Sequence, residues 1–103
     1  MIAYVYDGER LAGELSFEDN IYSFIYDEHF LKNHQAISLT LPKQKEPFDS
    51  PYLHPFFANL LAEGNLKKRQ CKKLKIDEDD EFMRLLKTAT DDTIGTVTIR
   101  EKP

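Results

Sequence analysis

The sequence predicts an α+β fold, in which a small, mainly antiparallel twisted sheet of about five strands is capped by three to four short helices. The first third of the chain alternates β-branched and aromatic residues with polar ones, and short turn sequences divide it, as in a strand meander. The middle of the chain instead spaces its apolar residues three and four apart, as amphipathic helices do. Antiparallel strands with segregated helices define the α+β class.

The first two strands form a predicted hairpin. Ile2 to Tyr6 is β-branched and aromatic, and Asp7-Gly8 favours a type I′ turn after it, because both residues tolerate a positive φ. Alternation in the next segment predicts a strand with one buried face. We expect Arg10, Ala12, Glu14 and Ser16 to lie on its polar face, opposite Leu11, Gly13, Leu15 and Phe17.

The next elements complete the meander and add a fourth strand. A turn at Glu18-Asp19-Asn20 leads into a third strand, Ile21 to Tyr26, whose aromatic residues share one face. A short helix over Glu28 to Asn33 follows. Ile37, Leu39 and Leu41 then alternate with polar residues, which predicts a fourth strand ended by Pro42. The polar segment from Lys43 to Pro51 is predicted to be a loop.

Three helices and a closing strand are predicted in the second half. Pro55 suits the first turn of a helix, and Gly64 suits the position just after its end. Its apolar face would comprise Phe56, Phe57, Leu60 and Leu61. A second helix spans Leu66 to Leu74, and Asp79 or Asp80 can cap a third whose buried stripe is Phe82, Leu85 and Leu86. Thr93 to Arg100 closes the chain as a strand, with Val97 and Ile99 facing inward.

Composition limits the class of protein. The 103 residues fit a single domain, 1–103, and 41% hydrophobic with 31% charged residues is typical of globular proteins. A net charge of −4 argues against a surface built wholly for nucleic acid. The single cysteine excludes an intrachain disulfide. We expect a cytoplasmic protein without a signal peptide, because no apolar run approaches the roughly 20 residues that cross a membrane.

Catalytic and metal-binding motifs are absent from the sequence. The four glycines are far apart, so no phosphate-binding loop forms, and no H-R-D or D-F-G segment occurs. His29, His34 and His54 lack the spacing of a metal site. We therefore expect neither enzymatic activity nor a cofactor.

Two other features have both a structural and a chemical interpretation. Basic neighbours of Cys71 could lower the pKa of its thiol and make it reactive, although its place on the apolar side of its helix favours a small core residue. The acidic run from Asp77 to Glu81 is explained by helix capping and solvation.

The basic run from Leu66 to Lys75 carries six of the 14 lysines and arginines. Three interpretations remain open. It could be the solvated face of an amphipathic helix, it could contact an acidic protein partner, or it could bind phosphates in a nucleic acid through Lys67, Lys68, Arg69, Lys72 and Lys73. The absence of interleaved aromatic residues disfavours nucleic acid.

Several motifs, in order along nearly the whole chain, carry a family resemblance. Residues 55–64 read P-F-F-A-N-L-L-A-E-G, and residues 37–42 read I-S-L-T-L-P. They resemble the P-F-F-x-N-L-L-P-E-G and S-L-S-L-P motifs of the first N-terminal subdomain of HipA-type kinase toxins. The hairpin V-Y-D-G-E-R-L-A-G-E-L-S and the closing I-G-T-V are similar to the same family's segments. Ala62 departs from the family proline, and A-T-D-D-T-I precedes Gly95 in place of the usual G-R-D-x-x-G form.

The resemblance implies a function. A chain that stops where the kinase body should begin resembles HipS-type antitoxins, which neutralise a HipT-type kinase toxin in an operon that also encodes a HipB-type DNA-binding protein. The resemblance implies docking on the kinase N-lobe near the active site, without membrane or direct nucleic-acid binding. An activating or structural subunit of a split kinase is the alternative. The expected contact residues are Glu63, Gly64, Asn65, Leu66, Lys67, Lys68 and Arg69; Leu66 stands where an aromatic residue would act as a larger wedge.

Overall fold

The computed structural model describes residues 1–90 and 96–103. Its strands are β1 (Ile2–Asp7), β2 (Arg10–Glu18), β3 (Ile21–Tyr26), β4 (Phe48–Ser50) and β5 (Val97–Arg100), and its helices are α1 (Glu28–Asn33), α2 (Pro55–Ala58), α3 (Gly64–Leu74) and α4 (Glu81–Thr88). The described strands form one sheet in the order β4-β3-β2-β1-β5, with each neighbouring pair antiparallel. The predicted α+β class is confirmed.

One face of the sheet packs against the helices and forms the core. The predicted aromatic row of β3 is buried, with Phe24 fully inaccessible to solvent, and Val97 and Ile99 of β5 face inward as predicted. Phe24 contacts Phe57 edge to face, with ring centroids 5.4 Å apart. Such geometry adds to the free energy that burial of the rings supplies. The largest fully buried side chains are Val5, Leu15, Phe24, Phe30, Phe57, Phe82, Leu85 and Ile99.

The two hairpin turns have different backbone conformations. Asp7 pairs with Arg10, so the first turn consists of Gly8 and Glu9 rather than the predicted Asp7-Gly8. Only Gly8 has a positive φ there, 64°, as the first position of a type II′ turn requires. The second turn is the type I′ one, because Asp19 and Asn20 both have positive φ, 52° and 63°.

A bulge changes the predicted alternation in β2. Val5 pairs with Gly13 and Tyr6 pairs with Leu11, which leaves Ala12 as the extra residue. Ala12 is fully buried, so the prediction that it lies on the polar face is wrong. Its carbonyl accepts a hydrogen bond from the Asp27 N–H at 2.8 Å, which links the bulge to the start of α1.

The predicted fourth strand, Ile37 to Leu41, is wrong. Residues 38–41 form a tight turn closed by a single bridge between Ser38 and Leu41, and Leu39 at its tip is fully exposed. The strand beside β3 is instead β4, inside the segment predicted to be a loop, between Pro47 and Pro51. Phe48 provides the reason, because its ring packs 6.5 Å from that of Phe24 and fills the edge of the core.

Tyr26 fixes the turn at residues 38–41. Its hydroxyl donates to the Leu41 carbonyl at 2.5 Å and accepts from the Ile37 N–H at 3.1 Å. One buried phenol therefore binds the backbone at both ends of the turn. Burial raises the pKa of Tyr26, so the phenol keeps its donor proton well into the alkaline range.

We predict that Tyr26→Phe lowers the free energy of unfolding by about 1–3 kcal/mol, because it leaves the Leu41 carbonyl and the Ile37 N–H without their partner. Urea unfolding monitored by circular dichroism measures this loss. Tyr4→Phe is the matched control, since the Tyr4 hydroxyl bonds to no described residue, and it should change stability by less than about 0.5 kcal/mol. Equal stability of the two variants would contradict the prediction.

The predictions for α1 and α4 are confirmed. Asp27 caps α1 by accepting from the N–H groups of His29 and Phe30, and Asp80 caps α4 by accepting from Met83 N–H at 3.1 Å. The predicted stripe of α4 is buried. Residues 93–95 of the predicted closing strand lie outside the described residues.

Candidate functional site

Helix α3 carries the predicted contact residues, and its start differs from the prediction. Helix α2 is a single turn that ends at Ala58, so Gly64 does not end that helix; it is the first residue of α3. Gly64 has φ 61°, and an added Cβ would meet nothing within 4 Å, so the backbone conformation alone favours glycine. Glu63 is extended, and its side chain does not cap the helix.

The end of α3 is a Schellman motif. Lys75 adopts the left-handed conformation, and its N–H and that of Ile76 donate back to the carbonyls of Lys72 and Cys71. This motif reverses the chain immediately after the last basic residue. The acidic run therefore starts on a new segment and does not extend the basic helix.

The seven predicted contact residues lie together on the first two turns of α3 and its approach. All are exposed except Lys67, which is half-buried. Leu66 is 49% exposed although it is apolar. The seven are consecutive in the sequence and mostly exposed at the N-terminal end of α3, Glu63, Gly64, Asn65, Leu66, Lys67, Lys68 and Arg69.

The basic side chains of α3 are not neutralised within the described part of the chain. The ion pairs found there join Met1 to Glu18 and Lys87 to Glu101, so none involves the six lysines and arginines of residues 66–75. Only Cys71 of this helix is buried. The charge on the surface is therefore available to a partner or to solvent.

Arg84 fixes the segment that precedes α3, a role that the sequence motifs do not predict. It is 4% exposed, and its Nη2 donates to the Ala62 carbonyl at 2.8 Å. Ala62 does not itself restrict the backbone, so this side-chain hydrogen bond fixes the turn that leads into α3. An arginine inside the otherwise apolar stripe of α4 was the available signal.

Two shallow clefts flank this turn. The first, of about 320 Å³, is lined by Glu63, Lys67, Glu81 and Arg84 among others, and it has mixed charge. The second, of about 250 Å³, lies between Leu60, Leu66, Gln70 and Thr88. Leu66 forms one wall of the second cleft, so an apolar partner residue placed there would cover Leu66 and Leu60 together.

Cys71 and His54, two other candidate residues, are part of the folded core and its edge. Cys71 is 5% exposed, which keeps its thiol from reagents and favours the core interpretation. His54 is buried, and its Nε2 lies 2.7 Å from the Phe48 carbonyl at β4. Across residues 1–90 and 96–103, no three histidine, cysteine or acidic side chains are close enough to hold a metal ion. Nor is any helix there long and apolar enough to span a membrane.

The open five-stranded antiparallel sheet, covered by helices on one face and bordered by an exposed basic helix, defines the class: a small α+β domain. The chain belongs to the HipA N-terminal domain family, whose sequence model matches residues 3–100. The resemblance seen in the sequence motifs is therefore confirmed at the level of the family.

A solved structure and a curated sequence are among the proteins that are similar to the chain. The solved N-terminal domain of a HipA toxin superposes with a TM-score of 0.68 at 30% identity, covering 99% of this chain and 94% of that one. An uncharacterised protein of Haemophilus influenzae is 39% identical over 66 residues, which is 64% of this chain. The matched region spans only 61% of that relative, less than two thirds of its length.

Proposed function

We propose that this protein is a non-catalytic antitoxin that binds a HipT-type kinase toxin in the cytoplasm and neutralises it. Membership of the HipA N-terminal domain family supports a toxin–antitoxin role. The observation that carries the proposal is Leu66, an apolar side chain left 49% exposed at the start of a helix whose other exposed residues are mostly basic. An apolar anchor surrounded by charge is typical of a protein-binding surface.

The proposed mechanism is occlusion of the kinase cleft. The first turn of α3 lacks a side-chain cap, so its N–H groups and the lysines beside them favour an acidic surface on the kinase N-lobe. Leu66 would enter an apolar depression next to the active site and hinder access of nucleotide or substrate. The lysines would chiefly speed association, whereas burial of Leu66 would slow dissociation.

A HipB-type DNA-binding protein is a proposed third member of the complex. We propose that this chain reaches DNA only through that protein, because the exposed basic helix has no aromatic side chain interleaved for base stacking. Direct binding of nucleic acid would appear as affinity that falls steeply with salt in a filter-binding titration.

The test is growth of cells that express the partner kinase gene with and without this chain, combined with a pull-down of the kinase. We expect rescue of growth together with co-purification. Co-purification without rescue would contradict an antitoxin and indicate an activating or structural subunit. Absence of both would contradict a kinase partner altogether.

The accessory-subunit alternative rests on one observation. The structurally similar domain is itself part of a HipA toxin, where it shares a chain with the toxin rather than opposing it from outside. A chain that completes a split kinase would raise kinase activity when added to the purified enzyme, whereas an antitoxin would lower it. Phosphorylation of a generic substrate by the kinase with and without this chain separates the two.

A further inference from the structure

A second surface, on the side of the molecule where β2 and β3 meet the start of α4, has the opposite charge. A groove of about 400 Å³ is formed there by Met1, by the aromatic rings of Phe17 and Tyr22 and by four carboxylates, those of Asp77, Asp79, Asp80 and Glu81. We call it the acidic groove. Its floor is aromatic and its rim is negatively charged.

The rim carboxylates are not neutralised by the chain itself. No lysine or arginine lines the groove, and the ammonium group of the lining residue Met1 pairs with Glu18 at 3.5 Å. None of the four carboxylates forms an ion pair with a described residue. Asp77 and Asp80 accept hydrogen bonds from the N–H groups of Asp79 and Met83, which fixes their position. The carboxylates of Asp79 and Glu81 accept no hydrogen bond from a described residue, so both remain available.

Tyr22 supplies an independent observation. Its side chain is 7% exposed, yet its hydroxyl makes no hydrogen bond to any described residue, although it belongs to the lining of the groove. The ring is buried, but the hydroxyl oxygen is accessible from the groove, since the buried side-chain atoms without a partner among the described residues belong to His54 and Thr98. Burial raises the pKa of Tyr22, and the negative charges of Glu81 and Asp80 raise it further.

The floor of the groove suits a flat cation. The rings of Phe17 and Tyr22 are stacked with centroids 4.2 Å apart and planes inclined by 23°, and Phe17 is half-buried. Aromatic faces attract ammonium and guanidinium groups. Guanidinium is planar, weakly hydrated and able to bond two carboxylates at once, so it fits this combination better than an ammonium group does.

We propose that the acidic groove binds an arginine side chain presented by a basic segment of a partner protein. The guanidinium lies against the half-buried ring of Phe17, donates to the carboxylates of Asp79 and Glu81, and meets the unpartnered oxygen of Tyr22. A metal ion fits less well, because the described residues bring no three potential ligands close enough to coordinate one. The groove contains none of the seven α3 contact residues, although Glu81 also lines the cleft beside Lys67, and this proposal does not rest on the kinase proposal.

The test uses the full chain and a fluorescent hexa-arginine peptide as the probe. We expect saturable binding by anisotropy, with amide chemical-shift changes concentrated at Phe17, Tyr22 and residues 77–81. Asp79→Asn combined with Glu81→Gln should weaken binding at least tenfold and leave the fold intact, because neither carboxylate caps a helix. Phe17→Leu should weaken hexa-arginine more than hexa-lysine, as an aromatic contact requires.

The matched control changes the same net charge elsewhere. Glu9 and Glu46 are exposed and do not line the groove, so Glu9→Gln with Glu46→Gln should alter binding by no more than twofold. If the two double variants weaken hexa-arginine binding equally, the peptide is attracted by the net negative charge of the protein and not by the groove, and the proposal is overturned. Larger shifts at the groove with magnesium chloride at matched ionic strength would overturn it in favour of a metal. If the unmodified protein self-associates and the groove variant does not, the occupant of the groove is a second copy of the chain, and the proposal is overturned.

Discussion

A Leu66→Asp chain is expected to fold normally and to bind the kinase toxin about 30- to 1,000-fold more weakly, or about 2–4 kcal/mol. Leu66 is half-exposed in the free protein, so its replacement removes little from the core. In the proposed complex it is buried in an apolar depression, where a carboxylate without a partner is strongly disfavoured. Titration calorimetry with purified kinase, alongside circular dichroism of the variant, measures both quantities.

Leu74→Asp provides a stringent control. Leu74 is 43% exposed and lies at the opposite end of the same helix, outside the seven contact residues. Aspartate is unfavourable near a helix C-terminus and favourable near the N-terminus, so the control disturbs α3 more than Leu66→Asp does. Weak binding by Leu66→Asp and near-normal binding by Leu74→Asp would support the mechanism. Normal binding by a folded Leu66→Asp chain would remove the start of α3 from it.

The largest effect on stability is expected from Gly13→Ala in β2. An added Cβ would lie 2.2 Å from the Ile25 carbonyl oxygen and 2.9 Å from two ring atoms of Phe24. Neither group can yield cheaply, because one belongs to the backbone of the neighbouring strand and the other is a fully buried ring. We expect a loss of about 3 kcal/mol or more, seen as a fall in Tm of roughly 10–20 °C by differential scanning calorimetry.

Gly8→Ala separates this clash from the general cost of replacing glycine. Gly8 has φ 64°, but an added Cβ there meets nothing within 4 Å. The substitution should therefore cost only the strain of a left-handed alanine, about 1–2 kcal/mol. A Tm for Gly13→Ala equal to or above that of Gly8→Ala would contradict the clash.

Elements whose signals are local were predictable from the sequence. Helix α1 and the cap of α4 at Asp80 depend on neighbouring residues, and both were located correctly. The strand beside β3 was misplaced because its position depends on distant contacts. Alternation at residues 37–41 indicates a strand, but the Tyr26 hydroxyl closes that segment into a turn, and the packing of Phe48 on Phe24 selects the real strand.

The two candidate sites also differ in whether local sequence signals can predict them. The basic run from Leu66 predicts an exposed helix surface, and the family resemblance adds the turn before it, so residues 63–69 could be proposed from the sequence. Gly64 begins α3 and does not end the preceding helix. The acidic groove could not be proposed, because its aromatic floor and its carboxylate rim come from opposite halves of the chain. The role of Arg84 also depends on the fold, since its partner is a backbone carbonyl far away in the sequence.

The short length of β4 limits aggregation through this edge of the sheet in the crowded cell. An unpaired sheet edge is a template on which other chains can add strands and start aggregates. On this side the edge consists of only Phe48–Ser50, with Pro47 and Pro51 immediately before and after it. Proline has no N–H to donate, so the edge cannot lengthen in either direction. The protein can therefore keep an open sheet without recruiting stray β-strands along β4.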